Sequence, residues 1–231
     1  VRGAAAPGIA DRSRLTETLT WIAENYKTLV GWAVAAGTAG SVKFLHDAGS
    51  TPINNYRSPV FEGIEQLDAE NLFPLMLKER DSCHGCPIRC KIVVEHDSGK
   101  YATDSRYGGP EYESIGGLGP LCMVNDPVVV AKANELCNAY GLDTISTGGT
   151  IAFVMECVEK GILQPDQVYS FLPIFGNGDS LIECIHLIAN RQGIGAMMAE
   201  GSERMAQALG VIEEMVVAVK GQEFPLHDPR L

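Results

Sequence analysis

Apolar residues recur at helical spacing in one segment of this chain after another, while β-branched runs long enough to form buried strands are scarce. That contrast restricts the fold more than any other feature, because a parallel α/β domain needs several continuous apolar strands. Only residues 215–219 offer such a run. Asp126-Pro127 opens a helix with Val130, Ala133, Leu136, Cys137 and Tyr140 on one face, and Gly141 is placed to end it. A second helix begins near Thr147 and stops at Gly161, with Ile151, Val154, Met155 and Val158 on its apolar face. Two more are expected at 179–189 and 196–209. Nearer the N-terminus, Leu15, Leu19, Ile22, Tyr26 and Leu29 follow a capping Ser13 and predict an amphipathic, core-forming helix. The glycines at 37 and 40 break that pattern, Gly49, Pro52, Asn54 and Asn55 mark a loop, and a short helix starts after Asp68. Residues 91–95 and 101–103 flank Asp97-Ser98-Gly99 and suit a hairpin, and 215–220 suits a strand. The expected class is all-α: one multihelical domain over residues 1–231, with a small β-hairpin after a cysteine cluster.

Charge narrows the partners. With 29 Asp and Glu against 18 Lys and Arg, the formal charge is -11, which repels phosphate backbones and anionic membranes. The longest uncharged stretch, 28–42, is Gly-rich and shorter than the roughly 20 apolar residues of a bilayer span, so no transmembrane helix is expected. A basic start followed by an apolar run is missing at the N-terminus, and the expected address is cytoplasmic. Seven cysteines, three of them within eight residues, suit reduced ligand thiols better than a disulfide framework.

Those three are Cys83, Cys86 and Cys90, spaced C-x2-C-x3-C. The spacing brings three soft thiolates within reach of one metal centre. Gly85 permits a tight turn between the first two, and Pro87 keeps helix from forming directly after the second. A cubane iron–sulfur cluster and a structural zinc both call for a fourth ligand, with Cys122, Cys137, Cys157, Cys184, His84 and His96 as candidates. Cys137, Cys157 and Cys184 lie in expected helices and read as small buried hydrophobes. Gly116-Gly117-Leu118-Gly119 and Gly148-Gly149 lack the context of a phosphate loop and read as close-packing turns. His46 and His186 have no ligand-like neighbours in sequence and read as surface or satisfied core residues.

Three motifs in order, Cys83-His-Gly-Cys86-Pro-Ile-Arg-Cys90, Gly109-Pro-Glu111-Tyr-Glu113-Ser and Gly141-Leu-Asp143-Thr-Ile-Ser-Thr-Gly, resemble the aldehyde ferredoxin oxidoreductase family. Ala199-Glu-Gly201-Ser, Lys220, Pro225 and Asp228-Pro-Arg230 extend the resemblance over essentially the whole chain. It implies a tungsten or molybdenum held by two pterin dithiolenes, beside a four-iron cluster that delivers electrons to ferredoxin. Cys83, Cys86 and Cys90 would be three cluster ligands, and Glu113 would handle a proton as water or hydroxide attacks an aldehyde carbon. Asn138, Gly141, Leu142, Asp143 and Thr144 fall on a pterin-contacting segment whose first position is usually Asp. Asn at 138 keeps an acceptor, loses a charge and gains a donor. Two readings of Asp143 stand side by side, a grip on pterin nitrogens and a cap on the following helix, as do two of Glu113, a reactive acid and a partner of Arg106.

In the family, an N-terminal domain supplies further pterin contacts, and a later domain supplies the fourth cysteine and a histidine near the metal. Neither is matched within these 231 residues, so the expectation is an excised central domain, inactive alone and completed by the remaining domains of one polypeptide. Some relatives bind a further metal at a dimer interface through Glu and His, where this chain has Lys132 and Glu135. A cation at the first position argues against that site, so a homodimer need not use this helix. Two alternatives remain: the catalytic subunit of an aryl thioester reductase of benzoyl-CoA type, and a non-catalytic helical zinc module.

Overall fold

The computed structural model describes residues 8–164, 171–211, 213–228 and 230. Within them run ten α-helices and four short strands, joined by loops and 3-10 turns. In chain order they are α1 (Arg12–Leu29), α2 (Gly31–Ala36), α3 (Val42–Asp47), α4 (Ala69–Met76), β1 (Leu77–Asp81), β2 (Lys91–Val94) and α5 (Tyr112–Leu118). Then follow α6 (Pro127–Tyr140), α7 (Thr144–Glu159), α8 (Gly178–Asn190), α9 (Gly195–Met198), α10 (Ser202–Leu209), β3 (Ala218–Val219) and β4 (Gln222–Glu223). The class is mostly helical with two small hairpins, as the periodicity predicts. No single helix among the described residues is long and apolar enough to cross a membrane.

Local chemistry starts the central helices where it should. Asp126 accepts from Val128 N at 2.8 Å with Pro127 in the first turn of α6, and Asp143 accepts from Ser146 N at 2.7 Å to cap α7. The last turn of α6 closes on Gly141, whose φ of +72° no β-carbon favours. Helix α7 is the axis of the core: Ile151, Ala152, Phe153, Val154, Met155 and Cys157 are each at most 1% exposed. It packs against α5, α6, α8, α9 and α10. The closest approach is to α5, where a β-carbon on Gly148 would lie 2.4 Å from Gly117 O. Gly116 makes room for Leu226, and Gly149 for Glu223. These glycines therefore serve close packing as expected, but Gly116, Gly117, Gly148 and Gly149 do so inside helices rather than in turns.

Three local expectations are corrected. Helix α1 is capped by Asp11 rather than Ser13 and contributes no buried residue, with Leu19 55% and Leu29 60% exposed. An amphipathic pattern specifies a face but not what covers it, and among the described elements α1 has its main contact with α2. The helix expected at 196–209 is interrupted at Gly201 (φ +89°), because the buried Glu223 carboxylate takes the Ser202 N–H at 2.8 Å. The hairpin is also placed differently. Strand β2 pairs antiparallel with β1, Arg80 opposite Ile92 and Asp81 opposite Lys91, so the cysteine cluster is the connection within the hairpin. Residues 96–103 keep only one bridge, His96 to Thr103. Near the C-terminus, β3 and β4 form a second hairpin about Lys220 and Gly221, both at positive φ as a type I′ turn requires.

Candidate functional site

The Gly109 to Ser114 motif lies against β2, for a β-carbon on Gly109 would meet Ile92 Cγ1 at 2.8 Å. Thr38 fixes the start of α5 by accepting from Tyr112 N at 3.0 Å while its hydroxyl donates to the Glu111 carboxylate. One residue on, Glu113 stands in the first turn of α5, where the helix dipole favours a carboxylate. Its Oε2 accepts from Leu226 N at 2.7 Å, and its Oε1 lies 3.3 Å from Nε2 of His227. Arg106 is engaged elsewhere, paired with Asp104 at 2.5 Å, so it is not the partner of Glu113, which faces His227 instead. Glu111, Tyr112, Glu113 and His227 line a cavity of about 630 Å³ together with Trp32, Phe44 and Leu45. His227 escaped the sequence reading although it directly precedes the Asp228-Pro-Arg230 motif.

The segment from Asn138 to Thr144 is held to the same corner. Asn138 is exposed and donates to Tyr107 O at 2.8 Å. Gly141 turns the chain, and Leu142 N donates to Cys137 O at 2.8 Å. Asp143 uses Oδ2 for its cap, while Oδ1 makes no hydrogen bond among the described residues. Thr144 Oγ1 lies 2.8 Å from Ser114 Oγ, next in sequence to Glu113. Leu142 and Asp143 also line a smaller cavity of about 150 Å³ together with Ala199 and Gly201. Segments far apart in sequence thus meet on one side of α7.

Glu223 ties this corner together from beneath. It is 8% exposed and accepts from Ser202 N at 2.8 Å, Ser202 Oγ at 2.7 Å and Thr150 Oγ1 at 3.2 Å. Burial pushes its carboxyl up, but the donors from Ser202 and Ser146 outweigh burial and hold it below the ordinary carboxylate range. A depressed folded value stabilises the protein above the unfolded pKa of about 4.3, and that contribution fades as pH falls through the folded value. Glu223→Gln is accordingly expected to cost about 1 kcal/mol in urea unfolding at pH 7. The gap to wild type should narrow once pH drops below about 4, and an equal gap at both pH values would refute the assignment.

The three clustered cysteines lie between β1 and β2, Cys83 exposed and Cys86 and Cys90 half-buried. Cys86 N donates to Cys83 O at 3.0 Å across a turn containing Gly85 (φ +73°). Arg80 anchors the loop, donating to Arg89 O at 3.0 Å and to Ala35 O at 3.1 Å at the end of α2. Gly37 lets the loop approach, since a β-carbon there would sit 2.2 Å from Cys90 O. Among the described residues no set of three or more His, Cys, Asp or Glu side chains converges on one point at which a metal ion could sit. The four other cysteines are fully buried in the core. Burial raises all four thiols, to about 12 for Cys137 and Cys157 and further for Cys122 and Cys184, so they stay protonated. Three accessible thiols on one loop thus fit a soft-metal donor set by chemistry. None of the four core cysteines can complete it without leaving the core. Lys132 and Glu135 pair with each other at 2.6 Å, and Glu135 also accepts from Asp104 N at 2.7 Å.

Residues 15–231 match the family described as aldehyde ferredoxin oxidoreductase, domains 2 and 3. The tungsten-containing aldehyde ferredoxin oxidoreductase of Pyrococcus furiosus is 36% identical over 195 residues, which cover 84% of this chain and 31% of that protein. That of Thermococcus kodakarensis is 39% identical with the same coverage. A third, from Pyrococcus abyssi, is 34% identical over 236 residues, covering 100% of this chain and 38% of its own length. The chain therefore spans little more than a third of these curated relatives at most. In fold it is similar to the active site complex BamBC of benzoyl coenzyme A reductase in complex with 1,5-dienoyl-CoA, at a TM-score of 0.63 and 21% identity, over 83% of this chain and 29% of that one. Order and spacing of the motifs, helical fold and residue identity agree, and the chain belongs to the aldehyde ferredoxin oxidoreductase family.

Proposed function

We propose that this chain is the central helical domain of a cytoplasmic enzyme that oxidises aldehydes to carboxylic acids, with tungsten or molybdenum in a bis-pterin cofactor and ferredoxin as electron acceptor. The observation that carries this reading is the Ser114–Thr144 contact at 2.8 Å, which joins the segment bearing Glu113 to the segment bearing Leu142 and Asp143. Together they offer a carboxylate beside a cavity and, at the start of α7, an acceptor oxygen on Asp143 that has no hydrogen bond among the described residues and suits the amino and ring N–H groups of a pterin. Asn138, Gly141, Leu142, Asp143 and Thr144 would hold that cofactor, whose chemistry is the two-electron oxidation itself. Cys83, Cys86 and Cys90 would be three ligands of a [4Fe-4S] cluster, the fourth coming from the remaining domains of the polypeptide.

Aldehyde and water give carboxylate, two electrons and protons. Glu113 takes one of those protons at a carboxylate oxygen as the water oxygen bonds to the carbonyl carbon. Leu226 N–H steadies the carboxylate, and Trp32, Phe44 and Leu45 give the same cavity an apolar lining against which the carbon chain of an aldehyde can pack. The likeness to the benzoyl coenzyme A reductase complex extends to the fold alone and gives the aryl thioester alternative no residue of its own here.

Metal and acid-labile sulfide analysis of the anaerobically purified full-length parent tests the proposal. Tungsten or molybdenum with about four irons per chain is expected, with little retained by the 231-residue segment prepared alongside. Zinc in both, without iron, would leave a helical zinc module and end the oxidoreductase reading.

A further inference from the structure

We propose that His227 is a positioning residue for Glu113, its ring anchored by Ser50 at Nδ1 so that its Nε2–H is delivered to the carboxylate. This rests on the reading of Glu113 as the proton-handling acid. The ring lies between two partners: Nε2 is 3.3 Å from Glu113 Oε1, and Nδ1 is 3.3 Å from Ser50 Oγ. Its face packs on Tyr112 at a centroid distance of 5.0 Å. The backbone fixes the same arrangement, for Asp228 N donates to Ser50 O at 2.6 Å and Leu226 N to Glu113 Oε2 at 2.7 Å, on either side of His227.

A neutral imidazole carries one N–H. The Glu113 carboxylate offers only acceptors, so the contact at Oε1 requires the hydrogen on Nε2, and the Ser50 hydroxyl, which can donate or accept, then donates to the bare Nδ1. Each carboxylate oxygen then receives one donor, Leu226 N–H at Oε2 and His227 at Oε1, and a remaining lone pair on each is available to the cavity. Other charged or titratable groups near the pair are Glu111 across the same cavity, Tyr112 and Tyr56, and Asp228, which is engaged by Arg230. None of them supplies a second N–H to Oε1. His227 is about half exposed, so water competes for the contact, and its effect falls on the orientation of Glu113 rather than on stability.

The test uses the full-length enzyme and three variants. His227→Ala is expected to lower kcat by about 10- to 100-fold with KM little changed and metal content intact. His227→Gln, whose amide N–H reaches the same oxygen, should restore most of the loss. Long-range 1H–15N spectra of histidine-labelled protein should show His227 as the Nε2–H tautomer in wild type and a tautomer mixture in Glu113→Ala, whose side chain offers Nε2 no acceptor. An Nδ1–H tautomer, or His227→Ala with wild-type kcat, overturns the proposal. Should the parent oxidise no aldehyde while the Nε2–H tautomer is present, the contact stands and the proposed function fails.

Discussion

Glu113→Gln in the full-length enzyme is expected to lower kcat by about 10²- to 10⁴-fold, the usual contribution of a positioned acid–base group. The substitution keeps shape and volume, and the amide oxygen can still accept from Leu226 N, which Glu113 Oε2 now does at 2.7 Å. What disappears is a group that takes a proton and gives it back. In free energy the loss is about 2.7–5.5 kcal/mol of transition-state stabilisation, with no comparable loss of folding stability. Rate measurements under saturating aldehyde, combined with a urea midpoint and metal content for the same preparation, separate the two. A kcat within threefold of wild type at unchanged metal content would remove Glu113 from the chemistry, and the cavity would then be a binding surface only.

Where local signals and tertiary demands agree, the fold could be read in advance. Helices α6 and α7 were legible because Asp126, Gly141 and Gly161 punctuate apolar stretches of the right period, although α7 starts at Thr144 rather than near Thr147. Strand β1 was not, since Leu77-Lys-Glu-Arg-Asp81 has four charged residues in five and no β-branched side chain. Its pairing is imposed by β2 and by Arg80 reaching the cysteine loop. At Asp143 the capping reading is seen directly, one carboxylate oxygen capping α7 while the other makes no hydrogen bond among the described residues. The cysteine spacing raises the expectation of ligands, and the core positions of Cys122, Cys137, Cys157 and Cys184 set those four apart from it, a distinction that spacing alone leaves open. His227 and Glu223 were missed for a shared reason. Each gains its meaning from partners far away in the sequence, Glu113 for the one and Ser202 and Thr150 for the other, and no local pattern records such a meeting.

The second large effect sets helix propensity against packing. Replacing a glycine inside a helix by alanine ordinarily stabilises by about 1 kcal/mol. Gly148→Ala in α7 is expected to do the reverse, because the new β-carbon would sit 2.4 Å from Gly117 O, 2.6 Å from its carbonyl carbon and 2.9 Å from its Cα. These are backbone atoms of α5, which cannot swing aside as a side chain end does. Overpacking of this kind costs about 3 kcal/mol or more, so a net loss of about 2 kcal/mol should appear in urea unfolding. Gly141→Ala makes the contrast, for nothing lies within 4 Å of its β-carbon and only the left-handed backbone at φ +72° opposes it, worth about 1 kcal/mol. Relief of the clash requires α5 to move away from α7, and α5 carries Glu113 in its first turn and Ser114 against Thr144. Gly148→Ala should therefore lower kcat in the folded full-length enzyme as well, at unchanged metal content. Equal stability for Gly148→Ala and wild type would mean that the two helices can separate freely, and the coupling of α7 to the position of Glu113 would fall with it.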